Sequence, residues 1–287
     1  DKIFMCDEYT TPSNKSFTIH FDNLTKLGNE VFKNSNVEGI IFSDNFASGI
    51  SETKVNGELL FSDPEVIQFT NLADRIIVPY GEDNFVGAKN LKNLEKFSSV
   101  RSANSAEMSI FHDCNNLTFV SFNKSAAFVG DFAFAGKSKL SKIDLGGKTF
   151  TTRDIYRGTS FISKKTLYRE MINWDNNGVS FIGEKTFQRC GITEIQNAQG
   201  LLEIGSYAFS ENDKLINLDL MTASEAINLR IIGEHSFENC VLLSKVLIPE
   251  SVQIVKEYAF ASCPNLENMT IENMLTQPYI YISLMEF

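Results

Sequence analysis

The sequence predicts a solenoid, a stack of one small unit copied along the chain. Three observations carry the prediction. A phrase, Ile232-Gly233-Glu234-His235-Ser236-Phe237-Glu238-Asn239-Cys240, is followed by Leu243, Val246, Ile248 and Pro249. It returns as Val255-Lys256-Glu257-Tyr258-Ala259-Phe260-Ala261-Ser262-Cys263, with Leu266, Met269 and Ile271 after it. The two rings Phe237 and Phe260 lie 23 residues apart, and a fixed period of that length marks a repeat architecture.

Each unit is indexed from its first apolar residue, position 0. Glycine is frequent at position 1, a small residue at 4, Phe at 5, and Cys or Asn at 8. Leu follows at 11, with apolar residues at 14 and 16. Positions 14 and 16 alternate with polar residues, which is strand period. A second short extended run leads into position 0, as in 251–255. Glycine at position 1 is expected to supply a tight bend. The ring at position 5 is expected to insert between layers. The small residue at position 8 is expected to turn inward onto backbone groups. Like strands of successive units should pair in parallel, about 4.8 Å apart, so ten units make a rod or arc about 50 Å long.

In chain order, residues 1–23 read as an N-terminal cap and 24–271 as a solenoid of about nine or ten units. The first unit is Leu27-Gly28, Val31-Phe32, Ser35, then Val37, Ile40 and Phe42, one residue short. The stretch 43–80 is irregular; 59–79 reads as a further unit without a fixed register. The next unit ends in Leu91, Leu94 and Phe97, with Ala88 in the ring place, 23 residues before Phe111. Regular units start at Ala106, Val129, Ile182, Ile204, Ile232 and Val255. The one at Ile182 also lacks a residue, between Cys190 and Ile192. A degenerate unit, Ile162-Ser163 with Thr166-Leu167, falls in the second irregular stretch, 146–180. Residues 272–287 read as a C-terminal edge unit, where Ile280 and Ile282 alternate with Tyr279 and Tyr281. Terminal units lack a neighbour on one side, so atypical ends fit a stack.

These residues resemble the BspA-like leucine-rich repeats of bacterial surface proteins. The phrase IG-x-x-AF-x-x-C-x-x-L-x-x-I-x-I-P is matched almost letter for letter at 232–249 and closely at 204–220 and 255–271. The resemblance implies a leucine-rich-repeat solenoid, a right-handed superhelix of the α/β type that is rich in β structure, with short helical or 3-10 turns and a parallel strand ladder. It also implies an exported protein, at a cell surface or extracellular, that binds protein or glycan partners.

The bulk properties agree. Hydrophobic residues make up 43% of 287, enough for a continuous core, and the repeat accounts for many of the 24 Phe. A formal net charge of −10 argues against nucleic acid as a partner, because such binding needs a concentrated basic surface to displace counterions. No apolar run approaches the length of a transmembrane helix. The chain opens at Asp1, which reads as a processed form with any export signal or anchor outside it.

Cys114, Cys190, Cys240 and Cys263 all occupy position 8, so they read as buried thiols packing as small hydrophobes. Cys240 and Cys263 belong to adjacent units and point the same way, so no bridge between them is expected. Cys6 lies outside the repeats. His20, His112 and His235 fall at unrelated positions and read as surface or edge residues. No phosphate loop, nucleophile elbow or closely spaced metal-ligating set is present. The chain therefore reads as non-catalytic and without a cofactor.

Two binding surfaces are candidates. Outward strand positions form rows beside the inward apolar pair. Position 13 gives Lys96, Phe119, Lys142, Asn217, Lys245 and Asn268, with Glu194 after its shift. Position 15 gives Ser98, Ser121, Asp144, Asp219, Leu247 and Thr270, with Gln196. Phe119 and Leu247 are the apolar anchors in those rows. The second candidate is the irregular stretch 146–180, with Arg153, Arg157, Lys164 and Lys165 among its cations and the only Trp, Trp174, after them. The reading is an adhesin-like surface or secreted protein recognising an extracellular or host protein. A glycan-binding module for nutrient capture is the alternative, ranked second because a glycan site shows clustered aromatic platforms and Trp174 stands alone.

Overall fold

The structure, a computed structural model, describes residues 16–43, 46, 54–55, 58–59, 78–124, 126, 128–147, 178–220, 229–249, 251–252, 254–271 and 281–282. Its strands, in chain order, are β1 (Phe17–His20), β2 (Val37–Ile41), β3 (Lys54–Val55), β4 (Glu58–Leu59), β5 (Asn93–Phe97), β6 (Phe119–Phe122), β7 (Phe128–Val129) and β8 (Lys142–Asp144). They continue as β9 (Phe181–Ile182), β10 (Glu194–Gln196), β11 (Glu203–Ile204), β12 (Asn217–Asp219), β13 (Ile231–Ile232), β14 (Lys245–Ile248), β15 (Ile254–Val255), β16 (Asn268–Ile271) and β17 (Tyr281–Ile282).

Two parallel ladders run along the molecule. The strands at positions 13 to 16 pair in the order β1-β2-β5-β6-β8-β10, and β12-β14-β16 continue the series as a separate sheet. The strands that lead into position 0 pair as β7-β9-β11-β13-β15-β17. The bridges Leu27 to Tyr80 and Val100 to Val129 occupy the same place in the earlier rungs. Among the described residues, only β3 and β4 pair antiparallel. The ladder begins at Phe17–His20, within the stretch read as the cap.

Between the ladders lies a file of rings: Phe32, Phe85, Phe111, Phe134, Phe187, Phe209, Phe237 and Phe260. Successive centroids are 4.5 to 5.8 Å apart and near-parallel. Seven of these rings are fully buried, each worth about 1.5–3 kcal/mol by burial. Offset stacking adds about 0.5–1.5 kcal/mol per pair. The inward strand positions, such as Leu94, Ile143 and Val246, are also fully buried. Eight rungs are thus defined by their rings, numbered 1 to 8 from Phe32 to Phe260.

The file corrects the register in two places. Phe85, not Ala88, fills the ring place of rung 2, whose position 0 is Tyr80; Ala88 stands at position 8. Val100, not Ala106, is position 0 of rung 3, and Ala106–Met108 form a short 3-10 turn looped out before Phe111. Most of the unit read at 59–79 and all of the degenerate unit at 162 lie outside the described residues. Leu27 bridges Tyr80 and Phe32 stacks on Phe85, so rungs 1 and 2 are neighbours. β7 pairs β9, β8 pairs β10, and Phe134 stacks on Phe187, so rungs 4 and 5 are neighbours too. At the two corrected places insertions changed the spacing while three-dimensional stacking continued across them.

Glycine at position 1 has a different task from the expected bend. Gly130, Gly205 and Gly233 lack a positive φ. A Cβ on Gly233 would lie 2.6 Å from the carbonyl carbon of Gly205, and one on Gly205 2.7 Å from that of Gly183. Successive backbones touch there and leave no room for a side chain. The bends sit instead at positions 3 and 7, where φ is positive in nearly every rung: Tyr207, His235 and Tyr258 at 3, and Asn34, Gly87, Asp113, Gly136 and Asn239 at 7.

Position 8 behaves as expected for Cys114, Cys190 and Cys240, which are buried, whereas Cys263 in the last rung is only partly buried. Each cysteine Sγ donates to the carbonyl of a ring residue one rung back, Cys114 to Phe85 at 3.0 Å, Cys190 to Phe134 at 3.1 Å, Cys240 to Phe209 and Cys263 to Phe237 at 3.3 Å. Asn212 does the same with its amide, donating to Phe187 O and Phe209 O at 2.8 Å. These four cysteines are free thiols. Burial pushes Cys114, Cys190 and Cys240 up to about 12.

Candidate binding surfaces

The outward rows exist, with one substitution. Strand register aligns Asn93, Phe119, Lys142 and Glu194 across β5, β6, β8 and β10. It aligns Asn217, Lys245 and Asn268 across β12, β14 and β16. Asn93 holds the place read for Lys96. Lys96 lies in an irregularity of β5 with φ of 55°, its N–H donating to Ser121 Oγ at 2.9 Å, and its side chain is exposed outside the row. Glu95 likewise replaces Ser98, which is fully buried. The cause is the same misread register of rung 2.

Within the rows, Asn217 and Lys245 are exposed, whereas Phe119, Lys142 and Leu247 are half-buried. Lys142 Nζ stands 3.4 Å from Glu194 Oε2 in the same row. Such cross-rung pairs recur at Lys92 with Glu38 and at Arg189 with Glu211. Exposed pairs of this kind are screened by water and contribute little to stability. Arg153, Arg157, Lys164, Lys165 and Trp174 lie outside the described residues.

Sequence reasoning missed a second surface. Position 3 of rungs 4 to 8 holds Phe132, Lys185, Tyr207, His235 and Tyr258. Tyr207 stacks on His235 at 4.5 Å and His235 on Tyr258 at 4.9 Å. Lys185 Nζ sits 5.2 Å from the Phe132 centroid and 5.3 Å from that of Tyr207. His235 is therefore a member of a column, with Glu234 Oε1 3.4 Å from its Nε2 and Glu238 Oε2 3.1 Å from its Nδ1. The signal was present as Tyr207, His235 and Tyr258 in one repeat position, but a varying residue type at a fixed position reads as noise until the rungs are stacked.

The model of the BspA type leucine-rich repeat region matches residues 7–53, 81–168 and 158–282, in six copies. The chain belongs to the BspA-type leucine-rich repeat family. Among solved structures, this repeat protein is similar to a leucine-rich repeat protein from Bacteroides ovatus ATCC 8483. The identity is 21% and the TM-score 0.35, over 61% of this chain and 41% of that one. It is also similar to a leucine-rich cell surface protein from Faecalibacterium prausnitzii A2-165, with 16% identity and a TM-score of 0.27, over 92% of this chain and 80% of that one. The chain spans about two fifths of the Bacteroides protein's length. No curated protein matches it.

Among the described residues of this BspA-type protein, no group of three or more His, Cys, Asp or Glu side chains is arranged to hold a metal ion. No helix among them is long and apolar enough to cross a membrane. A shallow notch opens on the turn side of rungs 4 to 7, lined by Ser138, Arg189, Cys190, Glu211, Asp213 and Lys214 among others. It lies where the turn of rung 5 is one residue short, at Cys190-Gly191-Ile192.

Proposed function

We propose that this BspA-type repeat protein is a non-catalytic binding protein, displayed at a cell surface or secreted, that recognises an extracellular or host protein through its outward strand face. The observation that carries the reading is the in-register pair of outward rows. Within each of the two outward sheets a parallel ladder repeats them at about 4.8 Å, so an extended partner meets evenly spaced side chains on a rigid support. Phe119 and Leu247 supply apolar anchor points between polar neighbours. The cations Arg153, Arg157, Lys164 and Lys165, with Trp174, form a second candidate contact, suited to an acidic protein or anionic glycan.

Glycan capture is the second reading, and the aromatic column at position 3 favours it. Its rings face one another, however, so most of their faces are covered where a sugar would stack. An array of extracellular-matrix proteins probed with the full chain, beside a glycan array, separates the two. Protein binding weakened by Phe119→Ala with Leu247→Ser supports the first reading, and glycan-only binding overturns it. Neutralising Arg153, Arg157, Lys164 and Lys165 together weakens binding if the second contact operates; unchanged affinity removes it.

A further inference from the structure

In a full-length rung the turn after position 8 closes on itself, the position 11 amide donating to the position 8 carbonyl. The bonds run Leu91 to Ala88 at 3.1 Å, Leu117 to Cys114 at 3.2 Å, Leu140 to Lys137 at 2.8 Å, Leu215 to Asn212 at 3.3 Å, Leu243 to Cys240 at 2.9 Å and Leu266 to Cys263 at 3.0 Å. Rungs 1 and 5 are each one residue short and lack the bond. In rung 5 the Ile192 N–H donates instead to Asn212 Oδ1 of the next rung, at 3.2 Å. The Cys190 carbonyl is left without a donor among the described residues, although Cys190 is only 2% exposed. A buried carbonyl in that state is met by water or by a ligand.

The missing residue also opens the notch on the turn side, a hollow of about 420 Å³. Cys190 lines it with its main chain, because its Sγ is turned inward onto Phe134 O. In rung 4 the position 10 cation reaches back one rung, Lys139 Nζ donating to Asn116 Oδ1 at 2.6 Å. Lys214 holds position 10 in rung 6, but rung 5 has no residue there to receive it. Its Nζ lies over Gly191, 3.4 Å from where a Cβ would stand. The side chains of Asp213 and Asn239 also line the notch, with no hydrogen-bond partner among the described residues. Arg189 is fixed through its Nε by Glu211 Oε2 at 2.8 Å. Two cations, Arg189 and Lys214, thus stand against two carboxylates, Glu211 and Asp213. Apolar side chains continue the rim: Ile216 is 51% exposed, Leu242 46% and Val241 41%. Leu242 and Val241 hold in rung 7 the places of Lys214 and Asp213 in rung 6.

We propose that the notch is a binding site for one neutral sugar residue of a carbohydrate. Its charges balance, so it offers no net attraction to an ion of either sign. Its donors and acceptors are interspersed, which suits hydroxyls, since each hydroxyl both donates and accepts. Lys214 donates to a hydroxyl oxygen, Asp213 and the Cys190 carbonyl accept from hydroxyls, and the Asn239 amide does both. The C–H face of the sugar ring packs on Ile216 and Leu242. The volume falls within the range of small-molecule sites, roughly 300–1,000 Å³. The site lies on the turn side, apart from the outward rows at positions 13 and 15, and stands whichever partner those rows take.

The test titrates the full chain with the methyl glycosides of glucose, galactose and mannose, followed by amide NMR. Acetate and methylammonium serve as singly charged controls. At least one glycoside should shift the Gly191 main-chain amide and the Asn239 side-chain amide, with a Kd on the order of 1 mM, and the controls should shift neither. Asp213→Ala and Lys214→Ala alter exposed side chains and should each weaken binding about tenfold. Amide shifts elsewhere that match the parent chain show that these variants are folded. Phe119→Ala with Leu247→Ser should leave the glycoside Kd unchanged, because that pair reads the strand face alone. No response to any glycoside at about 50 mM overturns the site and leaves water as the partner of the Cys190 carbonyl. Shifts that survive both Asp213→Ala and Lys214→Ala, or a stronger response to acetate or methylammonium, also overturn it. The protein array judges the strand-face reading separately.

Discussion

The ring file and the outward strand ladder are built from the same eight rungs, yet they differ in continuity. The file runs unbroken from Phe32 to Phe260, across both long insertions, with every neighbouring centroid within 5.8 Å. The outward ladder breaks between β10 and β12. The difference teaches that the ring file, together with the ladder that leads into position 0, holds the rungs in sequence even where the outward ladder opens. A broken ladder exposes a few polar groups to water at small cost. A gap in the file would empty a buried cavity, which costs far more.

The largest expected effect breaks the file. Phe209→Ala should destabilise the protein by about 3–5 kcal/mol, read from urea unfolding, whereas Phe119→Ala on the outward face should cost less than about 1 kcal/mol. Equal effects at the two sites would end the distinction. Next is the backbone contact between rungs. Gly233→Ala forces a Cβ to within 2.6 Å of Gly205, and roughly 2 kcal/mol or more should be lost. A neutral result would show that rungs 6 and 7 separate easily beside the file.

The thiols beside the file give a pH signature. Burial raises Cys114, Cys190 and Cys240 from an ordinary 9.0 to about 12, so folding favours the neutral thiol. A raised folded value means this stabilisation is whole below about pH 9 and is lost as pH climbs toward 12. Each thiol should account for about 1 kcal/mol lost at pH 10. The urea midpoint should therefore fall more steeply above pH 9 than in a variant with all three replaced by Ala. Parallel curves would mean the thiols reach water.

The smallest effect is expected where the chain leaves the stack. A Cβ on Gly178 would lie 2.5 Å from Gly146 C, so residues 147 and 178 return to one point. Replacing 148–177 with a short Gly-Ser linker should change stability by less than about 1 kcal/mol. A large loss would show that the segment supports rungs 4 and 5, which would weaken the case that the file and the ladder beside it carry continuity.

Much of this was legible in the chain. The rings at Phe134, Phe187, Phe209, Phe237 and Phe260, the inward strand pairs and the position 8 groups follow from local spacing, because each depends on a period the sequence repeats. Lys96 and Ala88 were misassigned for the same reason. Rung 2 carries an irregularity after Leu94, and counting back from Phe111 by one period skipped it.

The amino-acid sequence by itself determined the repeating unit, its inward and outward positions, and thereby the family and the solenoid. Only the tertiary structure decided which units are neighbours, where the backbone turns left-handed, and where the outward ladder opens. Those outcomes depend on contacts between residues such as Val31 and Asn84, or Asp131 and Glu184, 53 positions apart in each case. A local period carries no record of how much chain loops out between two rungs that pack together.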